Sequence, residues 1–129
     1  MPDYFFDTSV LVAYFKNEDS RSAALVEAVI NGQATAAISA ITIAELWAVK
    51  QQDVRAHRRQ QAVIQLMQSV SVDTPVAERG GLIRQTHGLQ LPDALVVACC
   101  QVVGGRFFSK DPHFRRMLDQ HEITGEVYP

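Results

Sequence analysis

The sequence predicts an α/β domain with a central parallel sheet of about five strands and helices on both faces. Short apolar runs recur along the chain and alternate with longer segments of helical periodicity, a pattern typical of parallel strands joined by crossover helices. The chain has 129 residues, of which 47% are hydrophobic, so it can bury one substantial core. We therefore expect a single domain over residues 1–129.

The first strand is predicted at residues 3–6, an apolar run that ends abruptly at a carboxylate. Residues 9–15 follow at once as a short apolar helix, which ends before a polar stretch. Ser20 can cap a second helix, and the apolar residues of that helix stop at Asn31 and Gly32, a typical helix end.

The second strand is predicted at residues 35–38, which form a short apolar run suited to burial. Ser39 can cap the next helix, which carries Glu45 among apolar residues at helical spacing. Residues 54–68 combine a charged cluster with an apolar stripe, so they predict an amphipathic helix.

The third strand, at residues 69–72, is the weakest prediction of the sheet. Pro75 suits the first turn of the following helix, with Asp73 or Thr74 as its cap. This helix is expected to run towards Gly88, despite the cost of two adjacent glycines in its middle.

A buried helix is predicted at residues 93–103, which follow Pro92 and are almost wholly apolar. Residues 106–109 resemble the first strand in composition and predict the fourth. A polar turn, a short helix around Phe114 and a last strand near residues 126–128 complete the alternation.

Composition limits the classes of function. The formal net charge is −2, so a polyanionic partner would need a local basic patch or a bound metal ion. No run of about eighteen uncharged apolar residues occurs, so we expect a soluble, cytoplasmic protein with no membrane partner. The adjacent Cys99 and Cys100 suit neither a disulfide framework nor a zinc site, and we expect both to be reduced core residues.

Four acids occupy positions that a parallel sheet would bring to one edge. Asp7 follows the first strand and Asp111 the fourth, whereas Glu45 and Asp93 lie near helix starts that face the same edge. Carboxylates at contact distance repel one another. A divalent cation such as Mg²⁺ or Mn²⁺ would relieve that repulsion and could activate water for attack on a phosphodiester.

Each acid also has a purely structural interpretation. Asp7 could cap the following helix, and Glu45 could be solvated or form a capping box with Thr42. Asp93 beside a helix start is favourable on electrostatic grounds alone, and Asp111 could be a plain turn residue. No single acid is decisive; the ordered set carries the prediction.

Four ordered motifs contain these acids: Phe6-Asp7-Thr8-Ser9-Val10-Leu11, Ile38-Ser39-x-x-Thr42-x-x-Glu45-Leu46, Leu91-Pro92-Asp93-Ala94-Leu95 and Phe108-Ser109-Lys110-Asp111-x-x-Phe114. In order and spacing they resemble the motifs of PIN-domain ribonucleases, in particular the VapC-type toxins of bacterial toxin–antitoxin pairs. The resemblance spans essentially the whole chain. It implies a Mg²⁺- or Mn²⁺-dependent endoribonuclease that cleaves RNA, is neutralised by a cognate antitoxin protein and is commonly a homodimer.

The resemblance also implies roles for single residues. By position, the family's catalytic and metal-binding acids are matched by Asp7, Glu45, Asp93 and Asp111. Ser109 falls where the family usually has a serine or threonine that helps to order the site. Thr8, which follows the first acid of the motif, is a second candidate for that role.

The basic residues permit weaker predictions. His113 stands where many relatives have a further acid; it could contact phosphate or product, or be a surface histidine without a role. Near the acids, the candidates for binding RNA are Lys110, Arg115 and Arg116. The cluster of Arg55, Arg58 and Arg59 could be a solvated helix face, or contact RNA phosphates or an acidic part of the antitoxin.

Two other functions stay open from the sequence. A phosphoryl-transfer protein of the receiver or haloacid-dehalogenase type also places an acid after its first strand. A dehalogenase has a second acid two residues after its nucleophile, but this position holds Ser9 here. A receiver has an acid at the end of its third strand, and Asp73 would have to serve in that place. A PIN-fold binding protein without catalytic activity is the other alternative, against which four intact acids argue.

Overall fold

The computed structural model describes residues 1–50 and 53–129 and confirms the predicted α/β fold. Within these residues, five strands form one parallel sheet in the order β3-β2-β1-β4-β5. The strands are β1 (Tyr4–Phe6), β2 (Ala36–Ser39), β3 (Gln68–Val70), β4 (Arg106–Ser109) and β5 (Gly125–Val127).

Seven α-helices are found in the same residues: α1 (Thr8–Phe15), α2 (Ser20–Ile30), α3 (Ala40–Ala48), α4 (Val54–Gln65), α5 (Thr74–His87), α6 (Leu91–Val103) and α7 (Arg115–Asp119). A short 3-10 turn over Pro112–Phe114 precedes α7. No helix in the described part of the chain is long and apolar enough to cross a membrane.

The central strands are buried on both faces, which explains why they read as continuous apolar runs. Phe5 points into a core formed with α5, α6 and α7, whereas Phe6 points into a second core formed with α1 to α4. On the neighbouring strand, Phe107 and Phe108 continue the two cores, with ring centroids 6.0 Å from Phe5 and 6.3 Å from Phe6, respectively. The sheet therefore has helices on both faces, as predicted.

The order of the strands creates a crevice beside β1. The chain proceeds from β1 through β2 to β3 on one side and then returns to add β4 and β5 on the other side. In sheets of this kind, ligands bind outside the carboxyl ends of the strands at the point where the order reverses. Here that point lies between β1 and β4, and the first residue after β1 is Asp7.

Several predicted boundaries differ from the structure. The cap of α2 is Asp19, not Ser20, because the Asp19 carboxylate accepts a hydrogen bond of 2.7 Å from the backbone N–H of Ser22. The predicted fourth helix ends three residues early, at Gln65, since β3 begins at Gln68 to pair with β2. Both cysteines are buried and free, as predicted.

Candidate active site

Asp7 is the most enclosed of the four acids, with 6% of its surface exposed. It leaves β1 in an extended conformation and caps α1. Its Oδ2 atom accepts hydrogen bonds from the Ser9 backbone N–H (3.4 Å), the Ser9 hydroxyl (2.7 Å) and the Ser109 hydroxyl (2.9 Å). Burial raises the pKa of Asp7 above its ordinary value, although the hydrogen bonds from Ser9 and Ser109 oppose that shift.

Asp93 lies in the first turn of α6 and is half-buried. Its pKa is raised first by burial and then by the negative charges of Asp7, Asp111 and Glu45. The charges of all four predicted acids therefore interact. Within the described residues, however, no three of the four have ligand atoms that all lie within 4.8 Å of one another. Within the described residues, no hydrogen bond or ion pair reaches the Asp93 carboxylate, and no lysine or arginine forms an ion pair with any of the four.

Glu45 is exposed on α3 but is held in place by a neighbouring side chain. The Thr8 hydroxyl lies 2.8 Å from Glu45 Oε1 and 2.9 Å from the Thr42 hydroxyl, which is fully buried. Ser39, not Thr42, caps α3, because its hydroxyl accepts from the Ile41 N–H at 3.0 Å. The capping-box interpretation of Glu45 is therefore wrong.

Asp111 follows β4 and caps the 3-10 turn, with its Oδ1 accepting the His113 backbone N–H at 2.9 Å. The Asp111 backbone N–H in turn donates to the Ser109 hydroxyl at 2.9 Å. One ligand atom from each of Asp93, Asp111 and His113 lies within 4.8 Å of the others. The loop after β4 therefore places an acid and an imidazole beside the start of α6.

Ser9 is a site residue that sequence analysis missed. Its hydroxyl donates to Asp7 Oδ2 and accepts the Lys110 backbone N–H at 2.9 Å, so it joins the ends of β1 and β4. The one signal in the sequence is a small hydroxyl residue two positions after a capping acid. Ser109, which was predicted to help order the site, makes the corresponding contact from β4.

A groove of about 650 Å³ opens beside two of the acids. Its walls come from the end of α5, the start of α6 and the loop after β4. The residues that line it are His87, Gly88, Leu89, Gln90, Asp93, Asp111, His113 and Arg116. Arg116 is anchored at this wall by a hydrogen bond of 3.2 Å to the His87 carbonyl oxygen.

The other basic residues discussed above do not line this groove. Lys110 forms an ion pair of 2.6 Å with Asp19, and each of the two side chains is 21% exposed. Arg115 is exposed but does not line the groove. Arg59 packs over the rings of Tyr14 and Phe15, at 5.2 and 5.6 Å from their centroids. Of the predicted RNA-binding residues, Arg116 alone lines this groove.

A known protein family and several solved structures are similar to this chain. The PIN-domain family model matches residues 4–118. Among solved structures, the chain is similar to a toxin–antitoxin complex from Klebsiella pneumoniae, with 25% sequence identity, a TM-score of 0.71 and coverage of 87% of this chain and 90% of that chain.

It is also similar in fold to DNA-bound VapBC from Salmonella typhimurium (19% identity, TM-score 0.78, 98% of each chain). FitAcB from Neisseria gonorrhoeae shows the same fold, with 20% identity, a TM-score of 0.72 and coverage of 98% of this chain and 97% of that chain. No curated protein sequence matches. The PIN-domain model matches most of the chain, and the chain therefore belongs to the PIN-domain family.

Proposed function

We propose that this protein is a metal-dependent endoribonuclease toxin that a cognate antitoxin protein neutralises. The observation that carries the proposal is a set of interacting acids, Asp7, Glu45, Asp93 and Asp111, in a PIN domain. The pKa of Asp93 is raised first by burial and then by the charges of the other three acids. A structural role accounts for any one of these acids. It does not account for four such acids together, because within the described residues no lysine or arginine forms an ion pair with any of them.

The donor set fits a hard divalent cation. Carboxylate oxygens are the ligands preferred by Mg²⁺ and suit Mn²⁺ equally, and the four acids supply up to eight of them. When bound, such an ion supplies charge for activating water and stabilising the leaving oxygen of a phosphodiester. We assign Asp7, Glu45, Asp93 and Asp111 as its ligands and as the catalytic residues.

The neighbouring side chains would hold these acids in place. Ser9 and Ser109 both bind Oδ2 of Asp7, and Thr8 binds Oε1 of Glu45. The His113 backbone N–H binds Oδ1 of Asp111. Each hydrogen bond restricts the rotation of a carboxylate while leaving its second oxygen for a ligand. Such preorganisation reduces the cost of ordering the site when substrate arrives.

The groove beside Asp93 and Asp111 is our candidate for the RNA path. Arg116 lies on its wall, and among the described residues its guanidinium forms no ion pair, so it can contact a phosphate. Lys110 and Arg115 remain weaker candidates. The ion pair with Asp19 would have to break before Lys110 could bind RNA.

Two protein partners are proposed. Similarity to a solved structure supports an antitoxin, and an apolar surface groove supports a second copy of this chain. The solved structure from Klebsiella pneumoniae is described as a toxin–antitoxin complex, which supports an antitoxin partner for this chain. A homodimer is supported by an apolar surface groove, lined by Ile41, Ala44, Glu45, Ala48, Leu91, Pro92 and Leu95. We also propose a cytoplasmic location, where RNA is available.

We propose that one domain occupies residues 1–129, although the family match ends at residue 118. The pairing of β5 with β4 supports this proposal, because it makes residues 125–127 part of the same sheet. The burial of Tyr128 supports it as well.

The receiver alternative disagrees with the strand order. Receivers have the order 2-1-3-4-5, whereas this sheet has the order 3-2-1-4-5. Asp73, the acid that a receiver would need at its third strand, caps α5 here. For a dehalogenase, the position of the second acid holds Ser9, which instead binds Asp7. An inactive PIN-fold binding protein is the alternative that an activity test must separate.

The test is cleavage of structured and single-stranded RNA by the purified, tag-free protein. We expect cleavage with Mg²⁺ or Mn²⁺, none with EDTA, and none by the Asp7→Asn variant. The matched control is Asp119→Asn, which removes an exposed carboxylate that is not one of the four converging acids. Both variants should fold, as judged by circular dichroism.

Full cleavage by Asp7→Asn, or equal cleavage with and without EDTA, would show that the acids are not the catalytic site. Metal binding that depends on the carboxylates, without cleavage of any RNA, would favour the inactive binding protein. Co-expression with the product of an adjacent small gene should restore the growth of cells that express the toxin.

A further inference from the structure

We propose that Nδ1 of His113 is a nitrogen ligand of the ion held by Asp93 and Asp111, and that it gives the site a preference for Mn²⁺ over Mg²⁺. This inference rests on the proposed function, because it requires that the acids bind a divalent cation. It names the class of ion and adds a ligand of a different chemical type.

The position of the imidazole supports this role. His113 Nδ1 lies 2.9 Å from Asp111 Oδ1, and ligand atoms of His113, Asp93 and Asp111 share a sphere small enough for one ion. In the described part of the chain, this is the one group of three His, Cys, Asp or Glu residues whose ligand atoms all lie within 4.8 Å of one another. The ring therefore faces the acids, although 79% of its side chain is exposed.

The proton on the ring does not prevent binding. An ionised carboxylate only accepts, so a hydrogen bond between Nδ1 and Asp111 Oδ1 needs the proton on Nδ1. Neutral imidazole can instead place its proton on Nε2. The exposure of the side chain lets water satisfy an Nε2–H, and the change of tautomer frees the Nδ1 lone pair for the ion. No covalent step or additional reactant is needed.

The backbone fixes the approach of this ring. The His113 N–H donates to Asp111 Oδ1, and the Asp111 N–H donates to the Ser109 hydroxyl. Both bonds hold the 3-10 turn against β4, and Phe114 anchors it from below as a fully buried side chain. His113 thus projects from a fixed turn and not from a loose loop.

The chemistry of the ligand then selects between the two ions. Mg²⁺ favours carboxylate, carbonyl and water oxygens, whereas Mn²⁺ accepts an imidazole nitrogen more readily than Mg²⁺ does. With oxygens alone, the acids would bind Mg²⁺ and Mn²⁺ with similar preference. Adding one nitrogen favours Mn²⁺, and the gain should disappear when His113 is replaced by an oxygen ligand.

Pulsed electron paramagnetic resonance of the Mn²⁺-loaded, tag-free protein tests the ligand directly. We expect ¹⁴N couplings from a coordinated imidazole in the wild type and their loss in His113→Ala and His113→Asp. His121→Ala is the matched control, because it removes an exposed histidine outside the site, and it should keep the couplings. Calorimetric titration with each metal should show a ratio of Mn²⁺ to Mg²⁺ affinity at least several-fold lower in His113→Asp than in wild type.

Asp93→Asn separates the two proposals. If it abolishes Mn²⁺ binding while the wild-type spectrum lacks ¹⁴N couplings, the acids hold the ion and the role of His113 is wrong. Couplings that persist in His113→Ala overturn the role in the same way. If Asp93→Asn leaves Mn²⁺ binding unchanged, the metal site itself is wrong, and the assignment of His113 fails with it.

Discussion

Asp7 has two roles that are alternatives in the sequence analysis, a helix cap and a member of an acidic site. It caps α1 through Oδ2, which accepts from Ser9, and it also belongs to the group of four acids. A carboxylate has two oxygens, so one can satisfy the helix while the other serves a ligand. The cost is a buried negative charge at the end of a strand.

That cost gives a prediction for stability. Burial raises the pKa of Asp7 above 3.8, so the folded protein binds this proton more tightly than the unfolded chain does. The resulting stabilisation is fully present below the unfolded pKa and is lost as the pH rises through the folded pKa. In metal-free buffer at pH 8, Asp7→Asn should therefore be more stable than wild type by about 1 kcal/mol or more.

Urea unfolding with EDTA at pH 8 and pH 4 measures this effect. The advantage of Asp7→Asn should shrink at pH 4, because the wild-type carboxyl then approaches its neutral form. Asparagine can still offer one oxygen to Ser9 and Ser109, so the cap of α1 should survive. If the wild type is more stable than Asp7→Asn at pH 8, burial of the ionised Asp7 carboxylate does not destabilise the folded protein, and the prediction is wrong.

The residues of the site differ in how far the sequence could predict them. Asp7, Asp93 and Asp111 lie at or near strand and helix ends, where the common edge of parallel strands made them predictable as candidates. Glu45 lies in the middle of α3, so its candidacy depended on the resemblance in motif spacing. Ser9 was not predictable, because its role depends on a rotamer that reaches from α1 to the backbone after β4. For the same reason, the ion pair between Lys110 and Asp19 is visible only in three dimensions.

The contact between α5 and α6 explains one of the two adjacent glycines in α5. A Cβ on Gly80 would lie 2.6 Å from Leu95 Cδ2 and 3.4 Å from the Leu95 Cα, whereas a Cβ on Gly81 would have nothing within 4 Å. Gly80 thus permits close packing against the helix that carries Asp93. Gly81 has no such role in packing.

Two alanine variants test this difference. Gly81→Ala should stabilise the protein by about 0.5–1 kcal/mol, because alanine favours the helix. Gly80→Ala gains the same propensity but must displace Leu95, so it should be at least about 1 kcal/mol less stable than Gly81→Ala. Chemical denaturation measures both. Equal stability of the two variants would mean that α5 and α6 are not in close contact at Gly80.

The start of α2 is tied to the loop after β4 through Asp19 and Lys110. Burial alone would raise the pKa of Asp19, but hydrogen bonds from Lys110 and Ser22 outweigh it and lower that pKa below its ordinary value. The ion pair between Lys110 and Asp19 bears on the candidate site because Lys110 directly precedes Asp111, so it holds the loop that carries this acid.

Lys110→Met tests this link through its pH dependence. A lowered pKa gives stability that is present above the unfolded pKa and is lost as the pH falls through the folded pKa. The variant should therefore be about 1 kcal/mol less stable than wild type at pH 7, and the difference should shrink by pH 3. A difference that does not change with pH would assign the effect to lost packing of the lysine stem.

The elements themselves were predicted well where burial decides them. In β1 and β4 the adjacent phenylalanines are buried on the two faces of the sheet, so both strands were predicted from short apolar runs. Their ends were harder to predict. Asp19 and Ser20 are both good caps, and the choice depends on which residue leaves the extended conformation, which composition does not determine.

At the scale of the molecule, the arrangement of the sheet brings distant residues together. Asp7 and Asp111 are 104 positions apart in the sequence, but β1 and β4 are neighbouring strands. Parallel strands and helices on both faces were predictable from the alternation of segments. The strand order was not, because several orders satisfy the same alternation and only tertiary packing selects among them.

The four acids are proposed to form a single cation site, and every other role proposed for the site depends on it. Crystals of the protein grown with Mn²⁺ provide the most direct measurement, through an anomalous difference map recorded above the manganese absorption edge. We predict a peak at the carboxyl end of β1, at about 2.1 Å from oxygens of Asp7 and at least one other acid of the four. Manganese peaks found only elsewhere, with these four carboxylates left to water, would contradict it.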